Sequence, residues 1–251
     1  MREPLKKSCP LRKSHDGFFR RCYHNQMTET QSNRRPIGVR THAWSVAGAK
    51  WLTARGIKPN WISWASIGFA AIAALSFFIA GALTGFGRGL FLLIAIFGIV
   101  ARLLANMMDG MVAVEGGLGS ADGPVWNELP DRISDALIFV GAGAAIAIAD
   151  SGPQALGWLA AILAIICAYV RELGTPLTAP LGHQPDFGGP LAKQQRMAVI
   201  GLGALVAMFE GAWNWDFVAI VLALWIVIIG TVYTIFRRTR TLIIRLKATA
   251  V

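Results

Sequence analysis

Asp109, Asp131 and Asp135 stand at the margins of long apolar runs, in NMMDG at 106–110 and NELPDRISD at 127–135. A carboxylate is costly beside lipid unless a cation or hydrogen-bond donors stabilise its charge. On helices, Asn106 and Asp109 are three residues apart and Asp131 and Asp135 four apart, so each pair projects from one face. Two neighbouring helices would then aim three carboxylates and one amide into a common polar pocket. A hard divalent cation, Mg²⁺ or Mn²⁺, meets that demand, because it takes oxygen ligands and completes its shell with substrate phosphate. The candidate metal ligands are therefore Asn106, Asp109, Asp131 and Asp135. The competing assignment for the aspartates is a helix-cap or solvated-boundary role, which their convergence near lipid disfavours.

The elements that must position these residues are membrane helices. The chain of 251 residues is 55% hydrophobic and only 15% charged, which places it with membrane proteins rather than soluble domains. Six apolar runs approach the length of roughly 20 residues that a helix needs to cross the hydrocarbon: 61–83, 89–112, 133–149, 155–173, 197–210 and 217–236, the fifth being short. Ahead of them, THAWSVAGAKWLTARGIKPN places Trp44, Gly48, Trp51 and Leu52 on one helical face, with Lys50 and Arg55 elsewhere. That pattern predicts an amphipathic interfacial helix ended by Gly56 and Pro59. The fold class is thus an all-α integral membrane protein, six transmembrane helices preceded by an N-terminal interfacial amphipathic helix.

Charge sets the orientation. The net charge of +10 comes from basic residues gathered at 1–58 and 237–247, outside the apolar core. Anionic lipid suits them better than nucleic acid, for which no binding motif is present. Connections after the first, third and fifth runs carry only Arg88 as a basic residue, so the positive-inside tendency puts both termini, and the aspartates, on the cytoplasmic side. Residues 1–40 read as a disordered basic arm, with the part ahead of Met27 dispensable; 41–240 form the membrane domain and 241–251 a basic cytoplasmic tail. Cys9, Cys22 and Cys167 lack paired spacing, so neither a disulfide framework nor a zinc site follows. The stretch EGGLGSADGPVW at 115–126 reads as a loop, and Pro130 as part of the first turn of the third span.

The acidic stretches resemble the signature of the CDP-alcohol phosphotransferases (CDP-alcohol phosphatidyltransferases): Asp, two residues, Asp-Gly, two residues, Ala-Arg, eight residues, Gly, three residues, Asp, three residues, Asp. Asp109, Gly110, Ala113, Asp131 and Asp135 match it. KPNWIS at 58–63 is similar to the family's entry to its first span, and the resemblance runs from about residue 41 onward. Asn106 stands in place of the first aspartate, Val114 in place of the arginine and Asn127 in place of the later glycine, and twelve residues, 115–126, replace eight. The neutral Asn106 leaves one or two metals open, with Glu115 or Glu128 as the substitute carboxylate.

The resemblance implies transfer of a substituted phosphate from a CDP-linked lipid donor, commonly CDP-diacylglycerol, to an alcohol acceptor, with release of CMP in phospholipid biosynthesis. It implies a metal on Asp109 and Asp131 against the donor's diphosphate, Asp135 as general base, and close nucleotide approach over Gly110 and Ala113. Arg171, Lys193 and Arg196 look similar to basic positions that relatives use around a phosphorylated acceptor, although snorkelling at span ends explains such residues equally well. A homodimer is what the family resemblance suggests. Arg102, inside the second run, reads as a structural ion-pair partner, the tryptophans near span ends as an aromatic belt, and Gly141 and Gly143 as helix-packing positions. Asn106 and Val114 motivate an alternative, a catalytically retired member that binds a nucleotide-lipid or a membrane partner. A transporter ranks below both, since the carboxylates cluster at one side and no inverted repeat is evident.

Overall fold

Small residues spaced three or four apart decide which side of each helix turns inward. In the computed structural model, the buried side of helix α2 (Pro59–Gly81) is Ile62, Ser63, Ser66, Ala70, Ala73, Ser76, Phe77, Ala80 and Gly81. Trp61, Trp64, Ile72, Leu75 and Phe78 on the same helix are exposed. Large apolar side chains outside and small ones inside is the arrangement expected where lipid is the solvent and helices associate by close packing. The structure describes residues 42–118, 122–181, 183, 185–213 and 215–248; the proposed arm at 1–40 lies outside the described residues.

Among the described residues the α-helices are, in order, α1 (Ala43–Ala54), α2, α3 (Gly85–Glu115), α4 (Gly123–Ile148), α5 (Ala155–Thr178), α6 (Lys193–Ala207) and α7 (Val218–Lys247). Short 3-10 turns at Ala179–Leu181 and Glu210–Trp213 extend α5 and follow α6. Among the described residues, four helical segments are long and apolar enough to span a membrane: Pro59–Gly81, Gly85–Val114, Ala155–Leu181 and Val218–Lys247. α4 carries too many charges over its first half, and α6 has only 15 residues.

α2 packs on α3 and α4, α5 on α4 and α7, and α6 on α3 and α7. Glycines set the closest approaches. A Cβ on Gly141 would lie 2.6 Å from Ala74 Cα, and one on Gly143 2.8 Å from Gly157 Cα. Gly141→Ala is therefore expected to push α4 off α2 and lower stability by about 1–3 kcal/mol, the usual cost of overpacking; thermal unfolding in detergent reads it, and an unchanged midpoint would contradict the packing.

α1 lies against α3 through buried Ser45 and Ala49, while Trp44 and Trp51 are exposed and Arg55 stacks over the Trp51 ring at 4.1 Å. Gly56, at φ +69°, ends the helix in the left-handed region, and the Ile57 N–H donates to the Leu52 carbonyl at 3.1 Å.

Two boundaries differ from the sequence expectation. The segment 115–126 is not wholly a loop: Glu115 is the last residue of α3, and α4 begins at Gly123, so Pro130 lies inside the helix rather than in its first turn. Pro124 supplies the proline near the helix start instead. The Trp126 indole donates to Asp122 Oδ2 at 2.8 Å and its ring packs 5.7 Å from that of Trp64 on α2, which anchors the added turn. The last helix also runs past 236, through Lys247, so part of the basic tail is helical.

Candidate active site

Helix geometry alone places Asn106 and Asp109 on α3 and Asp131 and Asp135 on α4. Packing adds what surrounds them. Asp109, Asp131 and Asp135 are all buried, at 4%, 5% and 1% exposure, a burial that bare carboxylates do not tolerate. Three cations meet Asp131 and Asp135. Arg102, one turn of α3 before Asn106 and fully buried, donates from Nη2 to Asp135 Oδ1 at 2.6 Å, to the Asp131 carbonyl at 3.1 Å and to Asp131 Oδ1 at 3.4 Å. Arg196 on α6 donates from Nη2 to Asp135 Oδ2 at 3.1 Å, and from Nη1 to the Leu191 carbonyl at 3.1 Å. Lys193 donates from Nζ to Asn106 Oδ1 at 2.6 Å and pairs with Asp131 Oδ2.

The start of α6 aims two of these cations. The Gln195 side chain accepts from the Ala192 N–H at 2.8 Å, fixing the first turn, and Lys193 and Arg196, three apart, then share a face. Lys193 and Arg196, expected around an acceptor, thus bond directly to the acidic residues. Arg171 does not join them: its Nη2 reaches Glu128 Oε1 and Oε2 at 2.8 and 2.9 Å and Glu172 Oε1 at 2.6 Å. Glu128 also pairs with Arg132 on its own helix. Glu128 is therefore engaged by two arginines, and the Glu115 side chain lies outside the described residues. Arg171 further lines a pocket between α5 and α7 with Thr178, Asp186, Arg238, Thr241 and Arg245. Gly110 and Ala113, half-buried, follow Asp109 on the last turns of α3.

Ser63 is the partner that sequence reasoning missed. From α2 it donates to Asp109 Oδ2 at 2.8 Å, and its only signal is the final residue of KPNWIS. Asp109 Oδ1 remains buried without a hydrogen-bond partner. An acceptor oxygen in that condition has the hard-oxygen chemistry that a divalent cation takes. Asp135 differs, since both of its oxygens already accept from guanidinium groups. Among the described residues, no three His, Cys, Asp or Glu side chains converge closely enough to hold a metal by themselves.

Comparison with known proteins puts this geometry in context. No protein-family profile matches the chain. The inner membrane protein YnbA of Escherichia coli is 26% identical over 180 residues, covering 70% of this chain and 83% of that protein. The phosphatidylinositol phosphate synthase of Mycolicibacterium smegmatis is 25% identical over 186 residues, covering 73% and 76%. Among solved structures, the phosphatidylinositol phosphate synthase of Mycobacterium tuberculosis with CDP-DAG bound superposes with a TM-score of 0.63 at 23% identity, over 79% of this chain and 92% of that one. The same enzyme in complex with manganese and citrate gives a TM-score of 0.63 at 23% identity, over 79% and 88%. The fold is shared along most of both chains.

Proposed function

We infer that this chain, a divergent member of the CDP-alcohol phosphotransferase family, transfers a phosphatidyl group from a CDP-linked lipid donor such as CDP-diacylglycerol to the hydroxyl of an alcohol, releasing CMP. One observation carries the reading: Asp109, Asp131 and Asp135, the signature aspartates, are all buried, Asp131 and Asp135 held by Arg102, Lys193 and Arg196 and Asp109 by Ser63. The curated relative that acts as a phosphatidylinositol phosphate synthase, and the solved one carrying CDP-DAG, support the donor class.

Asp109 and Asp131 would hold the Mg²⁺ or Mn²⁺, while Asn106 Oδ1 accepts from Lys193. When bound there, the ion supplies charge neutralisation to the donor's diphosphate and to the departing CMP. Asp135 takes the proton of the acceptor hydroxyl as that oxygen attacks phosphorus. Arg102 and Arg196 occupy one lone pair on each of its oxygens, and a carboxylate has others with which to accept. Those two guanidinium groups fix the carboxylate's orientation through charge-assisted bonds. Gly110 and Ala113 line the approach of the nucleotide, and the Arg171–Arg238–Arg245 pocket suits an anionic group on the acceptor. In this reading α4 and the short α6 complete six spans, α1 lies at the interface, and the site and both termini face the cytoplasm.

The test is CMP release by purified protein given CDP-diacylglycerol, Mg²⁺ or Mn²⁺, and a panel of polar alcohols that includes glycerol 3-phosphate and inositol phosphates. Metal-dependent release with one acceptor is the expected outcome. Donor binding without turnover across the panel would favour the second reading, a retired member that binds a nucleotide-lipid, which Asn106 and Val114 motivate.

A further inference from the structure

Resting on the transfer reading above, we propose that Lys193 acts as a built-in cation in place of a second divalent metal ion, so that the site holds one metal per chain. Its ammonium sits between Asn106 Oδ1, at 2.6 Å, and Asp131 Oδ2, two oxygens that belong to the oxygen set a metal would use. Lys193 lies 87 residues from Asn106 along the chain, so the contact is made by α6 packing on α3 and not by sequence proximity.

Asn106 is the matching half of the arrangement. An aspartate there would add a fourth buried carboxylate and call for further positive charge. The neutral amide offers a carbonyl oxygen that an ammonium satisfies outright. The cluster as it stands contains three carboxylates, Asp109, Asp131 and Asp135, and three cations, Arg102, Lys193 and Arg196. One divalent ion added to this balance is offset by the two phosphates of the donor. A second would leave uncompensated positive charge in a buried place, where desolvation makes it costly.

The oxygens divide in the same way. Asp109 Oδ1 is buried and has no hydrogen-bond partner, whereas Asp135 is engaged at both oxygens and Asp131 Oδ2 by Lys193. Asp109 and Asp131 are close enough to repel one another, and Lys193 close enough to Asp109 to offset part of that repulsion. A single ion at Asp109 Oδ1 and Asp131 Oδ1, displacing the long 3.4 Å contact that Arg102 makes with the latter, removes the rest.

Equilibrium binding of Mn²⁺ to the full chain in detergent micelles, with free Mn²⁺ read by electron paramagnetic resonance, tests this without reference to turnover. The expected result is one Mn²⁺ per wild-type chain. Lys193→Met adds a second, weaker equivalent by exposing Asn106 Oδ1 and Asp131 Oδ2, and Asn106→Asp combined with Lys193→Met tightens that second equivalent at least tenfold. Lys193→Arg, which keeps the charge, stays at one. Two ions on the wild type, or a Lys193→Met protein still limited to one, overturns the inference. CMP release by the same wild-type preparation separates this from the transfer reading: two ions with turnover leaves the enzyme standing and removes the built-in cation. Zero ions overturns the inference as well, and turnover then decides whether the transfer reading survives.

Discussion

Asp135→Asn is expected to lower metal-dependent CMP release by about 10²- to 10⁴-fold, the range that removal of a positioned general base produces. The substitution keeps the size of the side chain and one carbonyl oxygen, but it removes the negative charge and the proton acceptor together. It also strips Arg102 and Arg196 of their shared counter-ion, at a position only 1% exposed. Breaking a buried ion pair from one side typically costs about 3–5 kcal/mol, because the partner is left uncompensated. Activity must therefore be expressed per folded molecule, with thermal unfolding measured in the same detergent. A variant that unfolds early but turns over normally when folded would assign Asp135 to the architecture alone. Loss of turnover in protein that remains folded below the assay temperature would establish it in the chemistry.

Arg102→Met carries the second large effect, and here the expected change is in stability. Arg102 is fully buried, and its Nη2 alone serves the Asp135 carboxylate at 2.6 Å and the Asp131 backbone carbonyl at 3.1 Å. It thereby ties α3 to α4 beneath the aspartates. Methionine fills comparable space without charge, leaving Asp135 with Arg196 and Asp131 with Lys193. The loss should be about 3–5 kcal/mol, against less than about 1 kcal/mol for an exposed pair. Arg102→Lys is expected to recover only part of it, because the shorter lysine side chain leaves its ammonium short of the position that Arg102 Nη2 holds. Denaturation of the three proteins side by side is the measurement, and a methionine variant as stable as wild type would show that the pairing contributes nothing net.

The two substitutions also separate what was legible along the chain from what was not. The spacing of Asp131 and Asp135 placed them on one helical face, and both are buried there. The apolar runs at 61–83, 89–112, 155–173 and 217–236 each contain or overlap a helix long enough to span a membrane. The beginning of α4 departs from local signals, since Gly123 and Pro124 look like loop residues until Asp122 and Trp64 give Trp126 its partners. Glycine and proline near a helix start are ambiguous locally, and a tertiary contact resolves them.

By itself, the amino-acid sequence determined that this is a helical membrane protein, with Asp109 on one helix and Asp131 and Asp135 together on one face of the next. Helical period and the cost of charge beside lipid are local physics, readable from residue type and spacing. Only the tertiary structure decided which cations those aspartates would have. Lys193 and Arg196 were candidates for an acceptor, Arg102 for a structural pairing of unspecified address, and Ser63 was part of a resemblance with no role of its own. Their assignments depend on how α2, α3, α4 and α6 pack, and that packing is set by small residues on the helix faces and by Gln195 fixing the start of α6. A buried charge selects its partner from whatever the packed helices bring within a few ångströms, and no spacing along a single chain segment encodes that choice.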